Sequence, residues 1–323
     1  MSSFWNIWVW VLTLGSLVGC FLLLRWCLKN FAGVEEGESM GHTFDGIEEL
    51  NNPLPKWWST FFLITIIWAF GYIALYGLGN WTGFLGWKSS NQGILNIAES
   101  KAKTVESLKD NSGVLVQYDR EVAQADEKYG PIFDAYAARS IEDLATDTEA
   151  LKVGQRLFIQ NCSQCHGSDA RGTTGFPNLA DKDWLYGGSP EQIKETIMNG
   201  RKAVGMMAWG AAIGGDQGVK EVAAYVISLS GRSVNEELAS AGKAKFGICA
   251  GCHGPDGQGS LAMGTPMGAP NLSDNTWLYG GSQRAIEESI RNGRAGVMPP
   301  WKAILGEEKV HVISAYIYSL SQD

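Results

Sequence analysis

The stretch NCSQCHG at Asn161–Gly167 returns as ICAGCHG at Ile248–Gly254, and the likeness continues well beyond the cysteines. PNLADKDWLYGGS reappears as PNLSDNTWLYGGS, NGRKAVGMMAW as NGRAGVMPPW, and VAAYVISLS as VISAYIYSLS. The offset is 87 residues between Cys162 and Cys249, 93 between Trp184 and Trp277, 92 between Met206 and Met298, and 91 between Tyr225 and Tyr316. A repeat sustained over this distance requires one supersecondary unit to be built twice. The second copy gains about six residues in GQGSLAMGTPMGA, and an insertion that leaves everything after it in step belongs to a surface loop.

Each copy reads as helical. A short helix precedes the cysteines in GQRLFIQ and GKAKFG, and Ser189-Pro190-Glu191-Gln192 supplies a cap and first turn for another. The last helix of each copy carries apolar residues at helical spacing: Val219, Val222, Val226 and Leu229, then Val310, Ile313, Ile317 and Leu320. Units this short and rich in glycine have small cores. A large prosthetic group at the centre would supply the missing apolar mass.

C-x-x-C-H is the attachment pattern for c-type haem. Two thiols add across the haem vinyl groups and the adjoining histidine reaches the iron. Cys162, Cys165 and His166 are thus expected to hold one haem, and Cys249, Cys252 and His253 a second. A zinc site needs a fourth ligand, and His311 has no counterpart in the first copy. A thioredoxin-like dithiol leaves the histidines, and the absence of a βαβ pattern, unexplained. Cys20 and Cys27 lack this spacing and read as small side chains in or beside an apolar run.

The sixth coordination position decides what the iron does. Left open it permits oxygen or peroxide chemistry; closed by a thioether it suits electron transfer. Met206 and Met298 follow NGR at matched places, 40 and 45 residues after His166 and His253. Aligning Trp209 with Trp301 selects Met206 over Met207, which remains the fallback; Met263 and Met267, in the unmatched insertion, are weaker alternatives for the second haem. Each methionine is expected to serve its own copy, with ligation crossing between copies as the alternative. Pro177 and Pro270, heading the two PNL stretches, resemble the class I cytochrome c proline whose carbonyl orients the proximal histidine. Trp184, Trp277, Tyr186 and Tyr279 read as packing aromatics, and His42 and His311 as ordinary side chains.

The amino-terminal part has a different character. Phe4–Leu24 and Trp57–Gly79, 21 and 23 residues, contain no charge. At a rise of ~1.5 Å per residue either crosses a ~30 Å hydrocarbon core. Trp5, Trp8, Trp10, Trp57 and Trp58 lie near the run ends, where interfacial aromatics belong. Met-Ser-Ser-Phe-Trp lacks the basic residues of a cleaved leader, so an uncleaved anchor is expected. Arg25, Lys29 and Lys56 place the segment between the runs in the cytoplasm, and everything after the second run on the opposite side, the periplasm of a Gram-negative bacterium. The net charge of −8 comes without any basic block, which argues against nucleic-acid binding.

The expected organisation is mainly α. Transmembrane helices at 1–29 and 57–80 flank a cytoplasmic segment at 30–56, a periplasmic tether occupies 81–148, and class I cytochrome c domains follow at 149–232 and 233–323. Within the tether, GVLVQYDREVAQADEKYGPIFDAYAARSIEDLA predicts two short helices broken at Gly130-Pro131.

Taken together, the chain resembles subunit III (CcoP, or FixP) of the cbb3-type cytochrome c oxidases. The resemblance runs over nearly the whole chain and includes HTFDGIEELNNPLPKWW, where Pro53 and Pro55 hold off helix until the membrane boundary. The resemblance implies a bacterial inner-membrane protein that takes electrons from cytochrome c or a quinol–cytochrome c reductase. Electrons then pass to a mono-haem subunit and on to the catalytic subunit, where O2 is reduced and protons are pumped. The acidic side chains of this strip, Asp45, Glu48 and Glu49, would face the cytoplasm and are expected to dock on the catalytic subunit. The first apolar run departs from family members with a single anchor. A cytochrome subunit of a membrane dehydrogenase and a di-haem peroxidase are the competing functions; the paired methionines oppose the second.

Overall fold

The computed structural model describes residues 2–30, 32–88, 96–109 and 115–322. The chain forms two compact units, one of residues 1–94 and 99–124 and the other of residues 95–98 and 125–323.

In the first unit, α1 (Ser3–Cys27) buries only Leu24, and α2 (Lys56–Tyr76) buries only Ser59 and Ile66. Core helices of a soluble protein hide a face; these leave Phe4, Trp8, Ile64 and Trp68 exposed. Their backbone groups are satisfied internally, so an apolar solvent suits them. The Asn80 N–H donates to Asn6 Oδ1 at 2.8 Å and Trp10 lies 6.0 Å from Trp81, so the start of α1 meets the end of α2 and the helices run antiparallel.

Between them the chain makes a hairpin of β1 (Ser39–Phe44) and β2 (Ile47–Leu50), with Phe44 opposite Ile47. Asp45 and Gly46 form its two-residue turn at φ 49° and 80°. Asp-Gly tolerates left-handed backbone at both positions, which a tight hairpin of this twist needs. Helix α2 starts directly after Pro55, as the prolines predict. Beyond α2, β3 (Trp87–Lys88) pairs in parallel with β4 (Leu115–Val116), and α3 (Ile97–Lys109) lies between them in sequence. Residues 89–95 and 110–114 of the expected tether lie outside the described residues.

The predicted break at Gly130-Pro131 does not occur. Helix α4 (Gln117–Ala137) runs through it. Proline forfeits a single backbone N–H bond, and the turns on either side keep theirs, down to Ala138 N–H on the Asp134 carbonyl.

The second unit continues with α5 (Ile141–Leu144), α6 (Thr148–Asn161), α7 (Ser163–His166), α8 (Pro190–Asn199), β5 (Arg201–Lys202) and α9 (Gly215–Leu229). The second copy follows with α10 (Glu236–Lys245), α11 (Gly247–His253), α12 (Gly259–Ala262), α13 (Gln283–Asn292), β6 (Val297–Met298), α14 (Lys302–Leu305) and α15 (Glu307–Leu320). Ser189 and Gln192 close a reciprocal capping box on α8, as the sequence predicts.

The copies exchange their carboxy-terminal halves. One core joins Phe158, Ala170, Ile193, Ile197 and Met198 of the first copy to Leu305, Val310, Ile313, Tyr316 and Ile317 of the second. The other joins Ile213, Val219, Val222, Ala223, Val226 and Ile227 of the first to Phe246, Ile286 and Ile290 of the second. Neither 149–232 nor 233–323 therefore encloses a core of its own.

Matched contacts drive this exchange. Phe158 packs on Tyr316 with ring centroids 5.6 Å apart, and Phe246 on Tyr225 at 5.1 Å. Beside them a glycine lets the helices close: a Cβ on Gly154 of α6 would sit 2.7 Å from Tyr316 Cβ and 2.8 Å from the Val312 carbonyl of α15. Gly242 of α10 abuts the Glu221 carbonyl and Tyr225 of α9 in the same way. Ion pairs cross too, Lys194 to Glu307 at 2.9 Å and Arg291 to Asp216 at 3.0 Å; as surface pairs they contribute ~0–1 kcal/mol each. His311, read as ordinary, is buried on α15 and donates through Nε2 to the Arg139 carbonyl at 2.8 Å.

Gly154→Ala forces a methyl into the α6–α15 crossing. Overpacking of this kind costs ~1–3 kcal/mol, and thermal unfolding followed by circular dichroism should register a lower midpoint. An equal substitution at Gly247, where nothing lies within 4 Å, should leave the midpoint unchanged.

Candidate functional site

Each C-x-x-C-H forms one helical turn at the end of a longer helix. Cys162 caps α6 and opens α7, with the His166 N–H on the Cys162 carbonyl at 3.0 Å; α11 places Cys249, Cys252 and His253 likewise. Gly167 and Gly254, at φ 79° and 83°, then turn the chain away in a conformation that favours glycine.

Both histidines are buried, and each ring faces a proline carbonyl: His166 Nδ1 to Pro177 at 3.0 Å and His253 Nδ1 to Pro270 at 2.9 Å. A carbonyl only accepts, so Nδ1 carries the proton and Nε2 presents its lone pair. Burial holds both imidazoles below the usual histidine range, against the proline bonds, which act in the opposite direction. The result is the neutral tautomer that a metal ligand requires. Burial raises the Cys162 thiol to about 11 and pushes Cys249 up as well, with the neighbouring cysteine adding to each shift. All four motif thiols are unpaired.

Among the described residues no three His, Cys, Asp or Glu side chains converge to hold a metal ion. Protein atoms alone therefore do not build a zinc cage at either turn. The arrangement instead fits haem c: two free thiols and an oriented, neutral imidazole on one short turn, beside apolar side chains.

The exchanged packing decides what faces each turn. Cys162 shares its core with Met298 and Trp301, and Cys249 shares its core with Met206 and Trp209. Each expected methionine thus packs on the same core as one motif cysteine of the other copy, the arrangement that crossed ligation would use. The two methionine segments are held by backbone. Arg201 pairs with Met298 across β5 and β6, and Met206 and Arg294 exchange bonds of 2.7 and 2.8 Å. The Trp301 N–H donates to the Ile197 carbonyl and the Trp209 N–H to the Ile290 carbonyl, both at 3.0 Å. Met206 is half-buried, whereas Met207 is 65% exposed. Met263 and Met267 are exposed on the insertion.

The glycine of Asn-Gly-Arg carries a role the sequence reading did not assign. Gly200 presses on the Met298 carbonyl and Gly293 on the Met206 carbonyl, both at positive φ. A side chain at either place would lift the methionine strand of the other copy. Recurrence of NGR just ahead of both methionines was the available signal.

Two helices fit to cross a membrane, followed by two entwined C-x-x-C-H folds, define a membrane-anchored c-type cytochrome. Comparison with known proteins is specific about which kind. The family described as N-terminal domain of cytochrome oxidase-cbb3, FixP, matches residues 36–82. The family described as Cytochrome C oxidase, cbb3-type, subunit III, matches residues 149–226 and 239–317. The chain is 41% identical to the cbb3-type cytochrome c oxidase subunit CcoP of Rubrivivax gelatinosus, over 99% of this chain and 96% of that one. It is 38% identical to the CcoP of Azospirillum brasilense, over 88% and 95%, and 35% identical to the FixP of Sinorhizobium medicae, over 90% and 97%. The chain belongs to the CcoP/FixP family, the cytochrome c electron-transfer subunits of cbb3-type oxidases. This bears out the oxidase reading over a dehydrogenase subunit or a peroxidase. The Rubrivivax alignment covers 99% of the chain and so extends over α1.

Proposed function

We propose that the chain is a non-catalytic electron relay of its oxidase complex, carrying two covalently attached haems c with crossed axial ligands. Cys162 and Cys165 would hold the first haem, with His166 and Met298 as the residues for its iron; Cys249 and Cys252 would hold the second, with His253 and Met206. The observation that carries this reading is the exchange of halves, which puts Met298 in the core of Cys162 and Met206 in that of Cys249. The group supplies a one-electron iron couple when bound. The residues do the rest: the prolines fix the histidine tautomer, the cysteines tether the ring, and a thioether closes the sixth position so that no oxygen site remains.

The relay runs from a cytochrome c or a quinol–cytochrome c reductase to the mono-haem subunit, and from there to the catalytic subunit. Arg25, Lys29 and Lys56 support a two-pass anchor in the bacterial inner membrane, with the β1–β2 hairpin in the cytoplasm and both C-x-x-C-H turns in the periplasm. Asp45, Glu48 and Glu49 of the hairpin would dock on the catalytic subunit, whose cytoplasmic loops the positive-inside bias makes basic.

Three measurements check this reading. In a chain reduced to the first haem by Cys249→Ala and Cys252→Ala, Met298→Ala should open the iron to carbon monoxide while Met206→Ala should not; the reverse result restores own-copy ligation. An impermeant maleimide should label Cys27 in inverted vesicles and not in intact spheroplasts. Mild purification should bring a copper-containing oxidase with the chain, and neutralising Asp45, Glu48 and Glu49 together should reduce its yield several-fold.

A further inference from the structure

The loops that orient the two histidines do not stand alone. Residues 172–177 are sewn to the first C-x-x-C-H turn: the Gly172 N–H donates to the His166 carbonyl at 2.8 Å and the Thr173 hydroxyl to the Cys165 carbonyl at 3.3 Å. Phe176 meets the His166 ring edge-on with centroids 6.5 Å apart, and Pro177 accepts the histidine proton. On its outer side this loop rests on the other copy. The Gly175 N–H donates to the Leu278 carbonyl at 2.7 Å, and a Cβ on Gly175 would lie 3.2 Å from Tyr279 Cε1.

The second loop shows the mirrored contact. Gly268, two residues before Pro270, abuts the hydroxyl and ring of Tyr186 from the first copy. Both tyrosines are themselves clamped. The Arg294 guanidinium lies 4.4 Å over the Tyr279 ring, and that of Arg201 lies 4.9 Å over Tyr186. Those arginines are the residues whose backbones hold Met206 and Met298. A continuous line of contacts therefore leads from Met206 through Arg294, Tyr279 and Gly175 to Pro177 and His166. A second leads from Met298 through Arg201, Tyr186 and Gly268 to Pro270 and His253.

We propose that Tyr279 and Tyr186 are crossed struts: each holds the histidine-orienting loop of the other copy, and so sets the reduction potential of the haem attached there. The inference rests on the di-haem reading above. A proton shared with a carbonyl makes an imidazole the more basic ligand, which favours ferric iron. Removing a strut lets the loop relax, lengthens the histidine–proline bond and raises the potential of that haem. The tyrosines are positioning residues, since neither touches a histidine itself.

The two contacts differ in chemistry, and this sharpens the test. The atoms of Tyr279 nearest to Gly175 are ring carbons, whereas the hydroxyl of Tyr186 makes the nearest approach to Gly268. Full-length chain in detergent would be titrated spectroelectrochemically, after pyridine haemochrome analysis for haem content. The wave belonging to Cys162 and Cys165 is identified as the one moved by His166→Met. Tyr279→Ala should raise that wave and leave the other in place, and Tyr279→Phe should restore it. Tyr186→Phe should raise the other wave alone. Fewer than two haems per chain defeats the di-haem reading, and the proposal with it. Two haems whose waves stay put, fall, or move together in these variants defeats the proposal alone.

Discussion

Gly154 against Tyr316 and Gly242 against Tyr225 are the contacts on which the cytochrome region depends. Each lets the helix leading into a C-x-x-C-H turn lie directly on a carboxy-terminal helix, and each draws its partner from the other copy. An apolar helix face gains ~25 cal/mol for each Å2 it hides, but only if backbones approach closely enough for side chains to interlock. Glycine at the crossing provides that approach, and the neighbouring aromatic pairs, Phe158–Tyr316 and Phe246–Tyr225, fill the space beside it. Because α15 closes over α6, the last helix of the second copy completes the core on which Cys162 packs. Neither half-core can be assembled until both copies are present, which ties the two C-x-x-C-H turns to one another.

The same exchange explains why the sites agree so closely. Three contacts recur at both: the histidine–proline bonds, the tryptophan N–H bonds to Ile197 and Ile290, and the glycines pressed on the methionine strands. In two independent domains, such agreement would have to be maintained twice. Here each copy contributes its methionine segment to the core on which the other copy's motif cysteine packs, so a shift in one segment is felt in both cores.

Much of this was legible beforehand. The uncharged runs gave α1 and α2, the C-x-x-C-H spacing gave both sites, and Ser-Pro-Glu-Gln gave a helix start, because each is a local signal with a local cause. The exchange was not legible: Met206 and Met298 stand at equivalent places, so the sequence offers the same evidence for own-copy and crossed packing. Only the three-dimensional path from α9 into α10 decides it. The β1–β2 hairpin was missed although Asp45-Gly46 is a strong hairpin turn, since the acidic and proline residues around it drew attention to the membrane boundary. Pro131 misled in the opposite direction. A proline removes one bond from a helix, and twenty other residues of α4 outvote it.

The insertion in the second copy shows how tightly the histidine bond is specified. His166 finds its proline carbonyl 11 residues on, and His253 finds its own 17 residues on, yet the bonds measure 3.0 and 2.9 Å. The extra chain closes on itself. Ser260 donates its N–H to the Ala269 carbonyl and accepts the Ala269 N–H on its hydroxyl, while the Thr265 N–H returns to the Ser260 carbonyl. Leu261, Met263 and Met267 are left facing outward. Gly259, at φ 85°, lets α12 approach the backbone at Pro270 so closely that a Cβ would meet the Asn271 nitrogen at 2.8 Å. Gly172 meets the backbone of Phe176 and Pro177 in the same manner. A glycine in left-handed backbone, pressed against the proline that bonds the histidine, is thus kept in both copies while the loop between changes length. The chain tolerates variation in how it reaches the proline and very little in where the carbonyl ends up.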